Sequence, residues 1–325
     1  LAHLSGKGIP FSPFLVLLAG ILIVSTSSIL IRFAQKEASS FTIAAYRLTF
    51  ATLILLPIVL KGRRQEILRL RRSQWLLVIL SGLFLALHFA TWIKSLELTT
   101  VASSVVLVST APIWVALLSP FVLRERPSRW GLIGMVVTLS GAILVGLNET
   151  CSLSAGGLVC PPMQALFSGG MFFGNVLALV GAFGAAGYLL AGRWLRPGMS
   201  LIVYIFLVYG TAAVFLLGVA FQAQEPMAGF SAWTWVCLLG LAVGPQLLGH
   251  TAFNYGLRYL SAAFVSVSLL GEPIGTTILA LVILREIPSP LEIVGGVTIL
   301  IGILLASREQ GRRREVPAAA EEEAG

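Results

Sequence analysis

Glu272 is the acidic side chain set deepest in an apolar run of this chain, about 11 residues past Ser261. At about 1.5 Å of rise per helical residue, that places it near the middle of a membrane. Pro273 follows it, removing a backbone donor and freeing a carbonyl one turn back. Ser261, Ser268, Gly275 and Thr276 share its helical face. A carboxyl withdrawn from water, on a small and hydroxylated stripe beside a helix break, suits a substrate or proton site. The competing assignment is a protonated carboxyl that caps the backbone freed by Pro273.

His88 stands on one face with Thr91, Trp92 and Ser95. Imidazole changes charge near neutral pH, and indole stacks on cations or rings, so these residues are candidates to line a path. The alternative is a neutral histidine bonded to a carbonyl, with Trp92 packing near the outer interface. Arg47, beside Tyr46, is the arginine buried in an apolar run. It can bind a carboxylate, pair with Glu272, or snorkel to the headgroups. Gln246, His250 and Asn254 recur at i, i+4 and i+8, which fits either an inner vestibule or interhelical hydrogen bonding. Ser25, Ser28, Ser103 and Ser104 carry the same two readings. Glu125 and Glu286 fall at turns next to Arg124 and Arg285, where pairing or helix capping is expected. No set of metal ligands and no cofactor motif stands out.

The elements that hold these residues follow from composition. Of 325 residues, 57% are hydrophobic and 11% charged, far from the roughly 25% charged of a soluble domain. Ten segments are apolar and long enough to span a bilayer: 14–33, 41–60, 75–94, 101–123, 129–147, 172–192, 201–221, 233–253, 261–284 and 290–306. The first is too long for a signal-peptide core and is expected to be retained. The net charge of +8 arises in short loops, a pattern of membrane orientation and not of a nucleic-acid face. With the N-terminus inside, inner segments hold seventeen Lys and Arg against four outside, so both termini are expected in the cytoplasm of a multi-pass cell (inner) membrane protein. The outer connection 148–171 carries Cys151 and Cys160, which either close a disulfide or remain free thiols. Residues 307–325 read as a basic stop followed by an acidic cytoplasmic tail.

Displaced by 161 positions, the sequence overlays itself. Gly20 falls on Gly181, Arg32 on Arg193, Ala102 on Ala263 and Pro112 on Pro273. Leu123-Arg124-Glu125 falls on Leu284-Arg285-Glu286, Gly134 on Gly295 and Gly141 on Gly302. Each half then holds five helices, and an odd number forces the second half to enter the membrane upside down. The expected fold is all-α and integral to the membrane: ten transmembrane helices, as two five-helix inverted repeats around a central cavity. Pro112 and Pro273, at equivalent positions, are expected to kink the fourth and ninth spans and act as hinges.

At these residues the chain resembles the drug/metabolite transporter superfamily, specifically proteins with two EamA domains. Each half ends with a small-residue helix containing a proline, a Leu-x-Glu turn and a glycine-spaced helix. The resemblance places the first EamA repeat at 14–147, the outer loop at 148–171 and the second repeat at 172–306. It implies a membrane transporter working without ATP hydrolysis, by secondary-active or facilitative alternating access. The expected activity is export of small polar, amino-acid-like metabolites. The expected partners are the bilayer, a small-molecule substrate and protons, with no nucleic acid. GxxxxGK[ST], HExxH and GxSxG motifs are missing from the sequence, which disfavours an intramembrane enzyme. A non-transporting receptor or scaffold is the other alternative.

Overall fold

In a computed structural model, residues 11–99, 104, 107–150, 152–154, 157–159, 169–279, 282, 290 and 293–306 are described. The architecture is a helical bundle: α1 Pro13–Val24, α2 Ser27–Ala34, α3 Ser40–Gly62, α4 Arg64–Leu68, α5 Arg72–Leu98, α6 Ala111–Val122, α7 Arg129–Thr150, α8 Gly169–Leu195, α9 Leu201–Gln222, α10 Ala232–Leu241, α11 Thr251–Gly256, α12 Ala262–Ser268, α13 Glu272–Leu279 and α14 Ile293–Ala306. The loop expected over 148–171 contains a small hairpin, β1 Ser152–Ser154 against β2 Gly157–Val159, antiparallel with Ser152 opposite Val159. Cys151 and Cys160 flank those strands and lie outside the described residues.

Among the described residues, six helical stretches are long and apolar enough to cross a bilayer: Pro13–Ala34, Ser40–Gly62, Arg72–Leu98, Phe172–Gly198, Leu201–Gln222 and Ala232–Gly256. Ala111–Val122, Ala262–Gly271 and Ile293–Ala306 are apolar and shorter. Leu15, Leu18, Leu53, Ile58, Val214 and Phe215 point outward, as expected where the solvent is lipid. Serines cap four of the helices: Ser39, Ser200, Ser231 and Ser261 each accept a hydrogen bond from the amide three residues on.

Glycine lets the helices approach closely where lipid offers no hydrophobic drive to pack them. A β-carbon on Gly249 would lie 2.3 Å from Val24, and one on Gly20 would lie 2.6 Å from Ala252, so α1 lies tightly against the segment 242–256. The same device joins α5 to α8, where Gly184 sits under the His88 amide nitrogen and Gly187 under the Phe84 ring.

Several apolar stretches are interrupted: at Ser25–Thr26, at Ser109–Thr110, over the π-helical stretch Ala242–His250, and over the 3-10 turn Leu269–Gly271. Hydroxyls add a second hydrogen bond to carbonyls at these points, each of which also accepts a backbone N–H. Ser25 Oγ donates to Ile21 O (2.8 Å), Thr26 Oγ1 to Ile23 O (2.7 Å) and Thr110 Oγ1 to Leu107 O (2.6 Å). Pro112 therefore does not kink a continuous helix. It lies in the first turn of α6, where its missing N–H leaves no intrahelical bond unmade. The break in the stretch expected as the ninth span comes just before Pro273, whose side chain, like that of Thr276, is outside the described residues.

Candidate functional site

The helix breaks surround one cavity. Its lining includes Val24 and Ser27 at the first break, Ser109, Ala111 and Pro112 at the second, His250 from the π-helical stretch, and Leu269, Leu270 and Glu272 at the last. Arg47, His88, Trp92, Tyr188 and Phe253 complete much of the wall, and about 100 Å³ is open to the centres of water-sized molecules. Irregular backbone within a membrane protein survives where protein buries it or where it lines a cavity, and here both conditions are met.

Arg47 is fully buried, so its side chain turns inward and does not snorkel. Its Nε donates to Gln246 Oε1 (2.7 Å) and its Nη1 to Ser27 Oγ (3.0 Å). The guanidinium carbon sits 4.2 Å from the centre of the Phe89 ring. Arg47 Nη2 has no hydrogen-bond partner among the described residues.

Across α5, His88 Nδ1 is 3.0 Å from Gly181 O. A carbonyl only accepts, so Nδ1 carries the proton and Nε2 is left for the cavity. Trp92 stacks on His88 with ring planes 7° apart, and its Nε1 is also unpartnered among the described residues. His250 contacts Phe89, Tyr188 and Phe253 through its ring, and its Nδ1 is unpartnered in the same sense. Glu272 is half-buried at the start of α13, and its backbone carbonyl accepts from Ser25 Oγ (3.0 Å). The cavity thus carries a guanidinium, a carboxyl, two imidazoles and an indole within a wall of rings.

Of the residues singled out in the sequence, Arg47, His88, Trp92, His250, Glu272 and Pro112 meet at this cavity, and Gln246 holds Arg47 from behind. Tyr46 lies elsewhere: it donates to Met227 O (2.5 Å) and packs on Phe50 and Trp235. Asn254 stands behind the wall, donating to Tyr188 Oη (2.5 Å) and His250 O (2.9 Å), and does not line an inner vestibule. Ser268 donates to Phe264 O within its own helix, while Ser266 reaches the cavity. Ser27, Tyr188 and Phe253 were not anticipated. Glu125 pairs with Arg193 (2.8 Å) across the bundle and not with its neighbour Arg124.

A solved crystal structure superposes with a TM-score of 0.73 at 20% identity, covering 93% of this chain and 98% of that one, which establishes a shared fold. An uncharacterized transporter of Archaeoglobus fulgidus is 25% identical over 91% of this chain and 97% of its own length. A probable terminal-alkyne amino-acid exporter of Streptantibioticus cattleyicolor is 30% identical over 64% of this chain and 65% of its own. An S-adenosylmethionine uptake transporter of Rickettsia bellii is 24% identical over 63% and 74%. The model of the EamA-like transporter family matches twice, over residues 11–147 and 172–308. With both matches together taking in most of the sequence, the chain belongs to the EamA-like transporter family of membrane transporters.

Proposed function

We propose that this protein exports small, polar, amino-acid-like metabolites through the cavity at the helix breaks, by alternating access between two inverted five-helix halves. One observation carries the reading: the cavity wall repeats at the offset found in the sequence. Val24 and Ala185, Ser27 and Tyr188, Trp92 and Phe253, Val108 and Leu269, Ser109 and Leu270, and Ala111 and Glu272 all line it, and each pair is 161 positions apart. A site on the pseudo-two-fold axis between inverted halves is where a rocking transporter holds its substrate.

Packing supports the same relation. A β-carbon on Gly134 would meet Gly302 O at 2.6 Å, and one on Gly141 would meet Gly295 O at 2.6 Å. The two contacts interchange under the 161-residue offset, as a two-fold requires. The amino-acid exporter among the relatives favours amino-acid-like cargo, and a cavity holding both Arg47 and Glu272 suits a molecule bearing both charges.

Polar contacts fasten both ends of the bundle. Arg193 bonds Glu125 and Leu257 O, and Glu66 accepts from Ser200 N, at the end assigned by charge to the cytoplasm. At the other end, Thr42 donates to Pro226 O and Ser231 N donates to Glu37. Alternating access opens these sets in turn. Glu272 is positioned to exchange a proton with the transported molecule.

The test is release from liposomes loaded with a mixture of the common amino acids. Reconstituted protein is expected to release a subset of them faster than protein-free vesicles. Equal release from both would overturn the assignment of cargo.

A further inference from the structure

Two residues that line the cavity each carry a buried atom that can only donate hydrogen bonds, and neither atom has an acceptor among the described residues: Arg47 Nη2 and Trp92 Nε1. From this juxtaposition we infer that Arg47 and Trp92 form the carboxylate-binding end of the site, so the transported molecule bears a carboxylate. The inference rests on the transporter reading above and adds the residues that select the substrate.

Arg47 is spent on one side only. Of the five N–H donors of a guanidinium, Nε serves Gln246 and one Nη1 hydrogen serves Ser27. The second Nη1 hydrogen and both Nη2 hydrogens remain, which is the end-on fork that a carboxylate engages with two parallel bonds. The two bonds already made fix the plane of the fork, and the Phe89 face supports it from one side. A buried polar hydrogen without an acceptor costs free energy, as does a desolvated charge met by neutral groups, so an arrangement with both is built for a ligand that supplies acceptor oxygens.

Trp92 points to the same chemistry independently. Its ring is fixed by stacking on His88, which the Gly181 carbonyl holds in place. Trp92 is 7% exposed and lines the cavity, so its buried N–H is not satisfied by bulk water. Glu272 on the same wall disfavours multiply charged anions such as phosphate esters. A single carboxylate paired with a cationic group at the Glu272 side leaves the charge of the cavity balanced.

The experiment uses full-length protein in liposomes loaded with the common amino acids. For each amino acid released, the free acid and its methyl ester compete for transport. The ester keeps the ammonium group and side chain but loses the carboxylate, and it is expected to compete at least tenfold more weakly. Trp92→Phe keeps the ring and removes only the N–H, so KM is expected to rise about tenfold. Arg47→Gln is expected to abolish transport. Because Arg47 also ties α2, α3 and the π-helical stretch together, the Trp92 variant and the ester carry the test if the Arg47 variant fails to fold. Equal competition by acid and ester, or an unchanged KM in Trp92→Phe, would overturn the inference while leaving the transporter intact. No protein-dependent release at all would instead remove the reading on which it stands.

Discussion

Arg47, His88, Trp92, His250 and Glu272 can be picked out of the sequence because ionisable and hydrogen-bonding side chains are rare in apolar spans and seldom lie there without a task. Their company is less legible. Ser27, Tyr188 and Phe253 are ordinary in a membrane helix, yet the offset that pairs the halves carries Trp92 to Phe253 and Ser27 to Tyr188. Tyr46 fails to join Arg47 because consecutive helical residues point about 100° apart. Tyr46 therefore reaches Met227 while Arg47 reaches Gln246. At this scale Glu272 carries the test of coupling. Glu272→Gln keeps the shape and loses the exchangeable proton. It is expected to eliminate accumulation driven by a pH gradient and to leave downhill release within about threefold of wild type. Vesicle uptake with and without an imposed gradient measures both, and identical gradient dependence in the two proteins would take Glu272 out of the coupling.

The helices follow the apolar runs closely, because about 20 apolar residues in lipid have few conformations other than a helix that satisfy the backbone. What stayed hidden was where they break. Pro112 was expected to bend a helix and instead begins one, and the π-helical stretch around Pro245 has no periodicity that announces it. Close packing by glycine gives a direct test. Gly249→Ala sets a methyl 2.3 Å from Val24 Cγ2 and is expected to destabilise the protein by about 1–3 kcal/mol. Gly218→Ala, in the exposed face of α9 with nothing within 4 Å, is expected to be neutral or to stabilise by up to about 1 kcal/mol. Thermal unfolding of purified protein compares them.

A second element-scale test concerns the start of α10. The backbone N–H of Ser231 and the Thr234 hydroxyl both donate to Glu37, and they hold its carboxyl below its ordinary value of 4.5. The ionised form is favoured by folding, so its stabilisation is complete above pH 4.5 and is lost as the pH falls through the lowered value. The unfolding temperatures of wild type and Glu37→Gln are expected to differ at neutral pH and to converge in acid. A gap independent of pH would show that Glu37 does not act through its charge.

For the whole molecule, the repeat is the feature that joins sequence to function. A constant displacement of 161 residues is visible in Gly, Pro and Leu-Arg-Glu positions, and the same displacement relates one side of the cavity wall to the other. The departures from that symmetry are chemical. Arg47 corresponds to Val208, His88 to Gly249, His250 to Phe89 and Glu272 to Ala111, so the scaffold is shared between halves while the ionisable groups are not. On the proposed mechanism, the two related halves supply the motion and this asymmetric set of side chains supplies the binding. The central claim is that this cavity carries a metabolite across the membrane. Untargeted profiling of the medium from cells carrying empty vector, wild type or Glu272→Gln at matched expression tests it most directly. At least one small carboxylate-bearing compound is expected to accumulate outside with wild type and, with Glu272→Gln, to stay above the empty-vector level but below wild type, because downhill release persists without gradient-driven export. A medium indistinguishable between wild type and empty vector would contradict export, and equal accumulation by wild type and variant would take Glu272 out of the coupling.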